Sequence, residues 1–300
     1  MIILTGVTGF VGPHLVRALC SRREPVRCLV RDRRRARQLG AWGAELARGD
    51  LRDRKSLERA LAGARAVVHM AKLAQGSARA LAKTNREGTR AMVQIAERQG
   101  VEQFIHLSAL GARPKPQFAY AYSEWQAEEL LRHSQLDYLI LRPTVIIGPG
   151  DPFSAGLIHL VRRWPVCPLP GSGQTRYQPL WIGDLVRCLL LALEGAGQRK
   201  QTVPLGGSQI ITLEEMLLQI MAALQRPRPL LHLPRRPLRW IARLLRRLVL
   251  DSPWVPGHFL STANVAGPGS LERAFGFPPL GWSDCLPQLL ACPTEQNLLA

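Results

Sequence analysis

The sequence predicts an α/β fold, a doubly wound parallel sheet followed by a smaller, mostly helical C-terminal region. Three observations predict it. Short apolar runs alternate with stretches of helical periodicity over residues 2–141. A glycine-rich turn joins the first run to the first helix. Proline is lopsided, with only Pro13 and Pro25 of the 23 prolines preceding residue 114, so an ordered first half gives way to a loop-rich second half. Strands that alternate with helices imply right-handed parallel βαβ units with helices on both faces of the sheet.

Each element follows from its own pattern. Ile2–Thr5 is a short apolar strand, and Phe10–Cys20 has helical spacing with Pro13 tolerated in a first turn. Val26–Val30 reads as the second strand, Ala44–Ala47 as a weak third, and Leu57–Leu61 as part of a short helix. Ala66–Met70 is the fourth strand. Ala80–Gln99 is one long helix stopped by Gly100, and Glu102–Ser108 is the fifth strand. Tyr122–His133 is helical and Tyr138–Leu141 is the sixth strand. The stretch 143–155 marks a boundary between residues 1–150 and 151–300, with residues of about 176–205 returning to the sheet.

The first turn reads Thr5-Gly6-Val7-Thr8-Gly9-Phe10-Val11-Gly12. Its glycines let the backbone approach a pyrophosphate, and the following helix presents free N–H groups and the positive end of its dipole. At the first βα junction this predicts dinucleotide binding and a Rossmann-type sheet. The second strand ends Val30-Arg31-Asp32, with Arg33, Arg34 and Arg35 following. Arg31 suits a 2′-phosphate, whereas Asp32 would suit a ribose 2′-hydroxyl. NADP(H) is therefore preferred and NAD(H) stays possible. Arg35 joins Arg31 as a phosphate candidate, while Arg34 and Arg37 are expected on a solvated helix face.

The 300 residues carry a formal charge of +18, and it is not spread evenly. Residues 17–37 hold nine arginines against Glu24 and Asp32, and residues 216–250 hold eight arginines and no acid. At about 100° per residue, Arg239, Arg243, Arg246 and Arg247 share one side of a helix whose other side is apolar. Two uses stay open for it: a solvated face of a packed surface helix, or contact with an anionic membrane surface or a protein complex. No zinc-ligand spacing, helix-turn-helix signal or aromatic RNA-binding pattern occurs, so nucleic acid is not expected as a partner. The six cysteines form no CxxC pair and the seven histidines are scattered, so reduced thiols and no metal site are expected. No run reaches the roughly 18 apolar residues of a membrane span, and the N-terminus lacks a signal-peptide pattern. The expected location is cytoplasmic, with peripheral contact at the cytoplasmic face of a membrane left open.

The turn at 5–12, with RGDLRD (48–53), VVHMA (67–71), residues 84–112, SEWQAEELL (123–131), LDYLILRPTVIIGPGD (136–151) and RYQPLWIGDL (176–185), resembles the atypical short-chain dehydrogenase/reductase superfamily. The similarity is greatest to the NADPH-binding accessory subunit family of respiratory complex I and its bacterial relatives, with NmrA-like proteins and NAD-dependent epimerase/dehydratases nearby. The resemblance fades after about residue 225. It implies that Asp50 and Leu51 lie beside the adenine, that Met70, Ala71 and Lys72 line the cofactor cleft, and that Asn85 ties strands together. It also implies that Pro143 begins the loop over the nicotinamide and that Asp184 caps a helix.

Active members of that superfamily use a Tyr-x-x-x-Lys pair aided by a Ser. The corresponding stretch here is Tyr120-Ala-Tyr122-Ser-Glu124-Trp-Gln126, so neither tyrosine is followed by the lysine. A glutamate would raise the tyrosine pKa, the wrong direction for a proton shuttle. The serine corresponds to Ser108 or to Ala109. Tyr120, Tyr122 and Ser108 are thus the catalytic candidates of a site lacking its motif lysine. Three functions stay open: a non-catalytic NADP(H)-binding protein with a structural or assembly role, an NAD(P)H-dependent oxidoreductase or epimerase acting on a small or lipid-like substrate, and an NmrA-like nucleotide-sensing regulator.

Overall fold

The computed structural model describes residues 1–195, 199–233 and 263–291. The arginine-striped helix expected around residues 237–250, and Cys292, lie outside the described residues. Seven parallel strands form the main sheet: β1 (Ile2–Thr5), β2 (Val26–Val30), β3 (Glu45–Arg48), β4 (Ala66–His69), β5 (Gln103–Leu107), β6 (Tyr138–Pro143) and β11 (Gln201–Leu205). Their order is β11-β6-β5-β4-β1-β2-β3. The chain starts in the middle, winds outward through β2 and β3, then crosses back to β4. This leaves a topological switch beside β1, where the strands' carboxyl ends open a crevice.

Alternation along the strands explains the two cores. Ile2 and Leu4 of β1 join Ala66 and Val68 of β4 in one apolar cluster, completed by α1 (Val11–Ser21) and α8 (Ile182–Leu193). Ile3 and Val67 face the other way, into a cluster with α3 (Arg54–Leu61), α5 (Gly88–Arg98) and Leu131 of α6 (Ala119–Arg132). Both faces are covered, so the central strands β1 and β4 are almost wholly buried and largely apolar, while the edge strand β3 is only partly buried. Asp53 caps α3, accepting from the Lys55 and Ser56 amides at 3.1 and 3.3 Å. A short helix, α2 (Arg37–Ala41), follows β2, with Arg34 in the turn before it.

Three expected helices differ from what forms. The long helix after β4 is three segments: α4 (Ala78–Leu81), a π-helical stretch Ala82–Glu87, and α5. The π stretch turns Asn85 inward, where its amide donates to Leu73 O and Ser123 Oγ at 3.0 Å each and its Oδ1 accepts from Leu73 N at 2.7 Å. The helix after β5 starts at Ala119, so Tyr120 lies in its first turn. Asp184 lies in the first turn of α8 but is not its cap: the position belongs to Trp181, and Asp184 accepts the Leu280 amide at 2.8 Å.

A third apolar cluster sits in the C-terminal part. It is built from α7 (Pro152–Arg163), α9 (Leu213–Ala223) and α11 (Trp282–Ala291), with two-stranded ladders between β7 (Ile146–Ile147) and β10 (Leu180–Trp181), β8 (Cys167–Pro170) and β13 (Leu230–Leu233), and β9 (Arg176–Tyr177) and β12 (Ile211–Thr212). The helical α10 (Ser270–Phe275) packs back on the first cluster. Buried Gln178 holds the parts together, donating to Gly207 O and Gly267 O and accepting from the Ala266 and Gly267 amides. Among the described residues no helix is long and apolar enough to cross a membrane, and the five described cysteines are free.

Candidate functional site

The crevice at the carboxyl ends of the strands is a cleft of about 1190 Å³. That exceeds the roughly 300–1,000 Å³ of ordinary small-molecule sites, so it has room for a dinucleotide and a second molecule. Its floor is the first βα turn. Gly6 has φ +73°, and a Cβ there would sit 2.6 Å from the Ala71 amide nitrogen at the end of β4. Gly12 packs on Val7 so closely that a Cβ would lie 2.3 Å from its Cα and carbonyl oxygen. These two glycines let the turn, the strand and α1 meet. No side chain caps α1 and no acid occupies its first turn, so its opening amides remain available to a pyrophosphate. The geometry fits the dinucleotide that the motif implies.

Most of the expected cofactor residues line this cleft: Thr5, Gly6, Thr8, Gly9, Phe10, Val11, Arg31, Asp50, Leu51, Met70, Ala71, Lys72, Ser108 and Pro143. Thr5 is fully buried and holds the wall, its Oγ1 2.7 Å from His69 Nδ1 and accepting the Met70 and Ala71 amides at 3.2 Å. Gly12, Asp32, Arg35 and Asn85 fall outside the lining. Gly12 serves the helix–strand junction. Asp32 closes a local turn by accepting the Arg34 amide at 2.8 Å, with Arg35 4.0 Å away on the surface. Asn85, expected to tie strands together, instead ties the loop after β4 at Leu73 to Ser123 of α6.

At the end of the cleft beside β2 and β3 two arginines line the wall. Arg31 is exposed at the mouth, and Arg52, unnoticed in the sequence, lines the same wall. Arg52 binds Asp50 with both arms of its guanidinium, at 2.9 and 2.8 Å. That hydrogen bond, with the charges of Arg52 and Arg31, holds the Asp50 carboxyl at about 2. Asp50 is thus an ionised anchor that aims Arg52. The sequence signal was present in RGDLRD, where Asp50 and Arg52 are two residues apart. The other arginines of the 17–37 cluster disperse: Arg22 pairs with Glu194 and Arg27 with Glu45.

At the other end, Tyr120 lines the cleft and Tyr122 does not; Tyr122 stacks on Trp125 with ring centroids 5.7 Å apart. Ser108 is fully buried, and its hydroxyl donates to Glu128 Oε1 at 2.5 Å. Glu128 also takes Arg142 and Arg132, so this serine belongs to a network under the sheet end. Ala109 lines the cleft beside it without a hydroxyl.

A lysine, Lys72, reaches this end of the cleft from elsewhere in the chain. It leaves the loop after β4 and donates to Leu107 O at 3.0 Å, Ser108 O at 2.8 Å and Glu124 Oε2 at 3.2 Å. It also hydrogen-bonds the Tyr120 phenol. Glu124 is buried, with burial raising its pKa against the opposing pull of Lys72. Burial and the Glu124 charge push Tyr120 up to about 12, while Lys72 pulls the other way. Burial alone would lower the Lys72 pKa, but Glu124 and Tyr120 outweigh it and the ammonium persists. Spacing along α6 could not reveal this cation, because it arrives from an element 52 residues earlier.

Residues 6–152 match the model of a family described as NAD(P)H-binding. The chain is 35% identical over 179 residues to ceramide reductase of Caulobacter vibrioides, covering 56% of this chain and 53% of that protein. It therefore spans about half the length of that relative. Sterol demethylase protein B of Methylococcus capsulatus is 29% identical over 268 residues, 81% of this chain and 80% of that one. A complex I subunit of Dictyostelium discoideum, NADH dehydrogenase [ubiquinone] 1 alpha subcomplex subunit 9, is 28% identical over 71% of this chain and 60% of its own. Among solved structures, that of gox2253 superposes with a TM-score of 0.76 at 25% identity, covering 97% of both chains.

Proposed function

With residues 6–152 taken as an NAD(P)H-binding domain of the atypical short-chain dehydrogenase/reductase superfamily, we propose that the chain is an NADP(H)-dependent reductase of an apolar carbonyl compound. The observation that carries this is the placement of the Tyr120 phenol in the cleft that would hold the dinucleotide, with Lys72 beside it. Bound NADPH would supply a hydride. Tyr120, held near 12, keeps its proton at neutral pH and can give it to a developing alkoxide, a far stronger base. Taking a proton from an alcohol would need the phenolate, which this site disfavours. The direction supported is reduction. Arg31 and Arg52 favour NADP(H) over NAD(H) through the 2′-phosphate. Leu73, Phe118, Val145, Ile146 and Phe153 line the remaining space. An apolar substrate suits them, and two of the relatives bear lipid names.

A second reading, a non-catalytic NADP(H)-holding protein with a structural or assembly role in or beside a larger complex, also has an observation behind it. Ala109 offers the cleft no hydroxyl, and Ser108 is committed to Glu128. The complex I subunit among the relatives agrees with it.

The test is NADPH consumption with a panel of long-chain and sterol-like ketones. Turnover lost by about 100-fold or more in Tyr120→Phe, with NADPH affinity retained, supports the reductase. Tight NADPH binding without consumption across the panel supports the second reading.

A further inference from the structure

The superfamily motif places its cation four residues after the tyrosine, one turn along the same helix face. In this chain that position is Glu124, an anion buried to 1% exposure. A buried carboxylate needs a partner, and the partner is Lys72, whose ammonium also reaches Tyr120. The two peptide carbonyls of Leu107 and Ser108 fix the ammonium on its remaining sides. A surface ion pair would gain nothing from such a cradle. Here four oxygens converge on one cation at the foot of the cleft.

We propose that the motif lysine has been relocated: Lys72, from the loop after β4, serves as the cation for Tyr120, and Glu124 is the anchor that holds it there. Lys72 is a positioning residue acting through the phenol, and the inference rests on the reading of the cleft as a dinucleotide site only for its role in activity. The bland alternative is a structural ion pair that happens to lie beside Tyr120. Both explain a loss of stability when either partner is removed, so stability cannot separate them.

The ionisation of Tyr120 can. The chain has four tyrosines, and subtracting the alkaline ultraviolet titration of Tyr120→Phe isolates this one. Glu124→Gln removes a negative charge beside the phenol and, with it, the anchor of Lys72, two effects of opposite sign on Tyr120, so it is not the deciding variant. Lys72→Gln removes the positive charge alone and shifts the ionisation of Tyr120 to higher pH by about one unit. The double variant Lys72→Gln with Glu124→Lys returns the cation to its motif position, so the shift of Lys72→Gln is reversed. If Lys72→Gln fails to fold, the double variant still reads the phenol against the unaltered protein, with the cation back in the motif position and Tyr120 ionising no higher than in the unaltered protein. Tyr120 ionisation unchanged in Lys72→Gln, or the shift of Lys72→Gln not reversed in the double variant, overturns the proposal. NADPH affinity is measured alongside by fluorescence. Absence of NADPH binding in the unaltered protein sinks the reductase reading while leaving the tyrosine titration intact.

Discussion

At the scale of single residues, the strongest expectation concerns the 2′-phosphate. Arg52 is oriented by a two-armed ion pair with Asp50, and Arg31 stands exposed on the same wall. A dianionic phosphate placed there would meet two guanidinium groups, each making charge-assisted hydrogen bonds. Replacing both by Ala should weaken NADPH binding by about 10- to 100-fold and leave NADH binding within about threefold. Isothermal titration with both nucleotides checks it; equal losses for NADPH and NADH would place the arginines elsewhere in recognition. Asp50→Asn should give a weaker form of the same loss, since it frees Arg52 without removing it. The residue scale also marks what was legible. Arg31 could be read from its place at a strand end, because that rule is local. Arg52 had a local signal in its spacing from Asp50, but the Lys72–Tyr120 contact had none, because it depends on how the loop after β4 meets α6 in one crevice.

At the scale of elements, the turn from β1 to α1 is a tight joint. Gly12 lies against the Val7 backbone, where a methyl would come within 2.4 Å of three main-chain atoms. Backbone cannot move aside as a flexible side chain can. Gly12→Ala must therefore push α1 off the turn that holds the pyrophosphate amides. The expected cost is about 1–3 kcal/mol of stability together with loss of NADPH binding, read by denaturant melts and fluorescence. Near-unaltered values for both would mean that α1 has slack the packing does not suggest. The alternation of strands and helices was plain from periodicity, since each element buries its own stripe. The π-helical stretch Ala82–Glu87 was not. It exists because Asn85 must face Leu73 and Ser123, a tertiary demand that overrides the regular spacing of residues 80–99.

At the scale of the whole molecule, the sheet order sets a pH limit. Placing β4 beside β5 pairs His69 with His106 in register, and the rings stack 5.4 Å apart in the interior. His69 is held between Thr5 of β1 and Thr89 of α5, so the pair lies where three sheet strands and a helix meet. Burial lowers the His106 pKa from 6.5 to about 3, with Lys72 adding to the effect, and it lowers His69 well below 6.5, with His106 and Lys72 adding to it. Both rings are neutral in the folded chain at neutral pH. The unfolded chain takes up protons near 6.5, while the folded chain does not until much lower. The unfolded state therefore binds more protons between about pH 6.5 and 3, and stability must fall as the pH falls through that window. Each histidine contributes a slope of up to about 1.4 kcal/mol per pH unit. Melting temperature measured from pH 7.5 to 4 should decline steeply below about 6.5. His106→Phe fills the same stacked position without a titrating group, so its decline should be shallower even if its stability at pH 7.5 is lower. Parallel curves for the two proteins would remove His106 from the account and leave the acid sensitivity to the carboxylates.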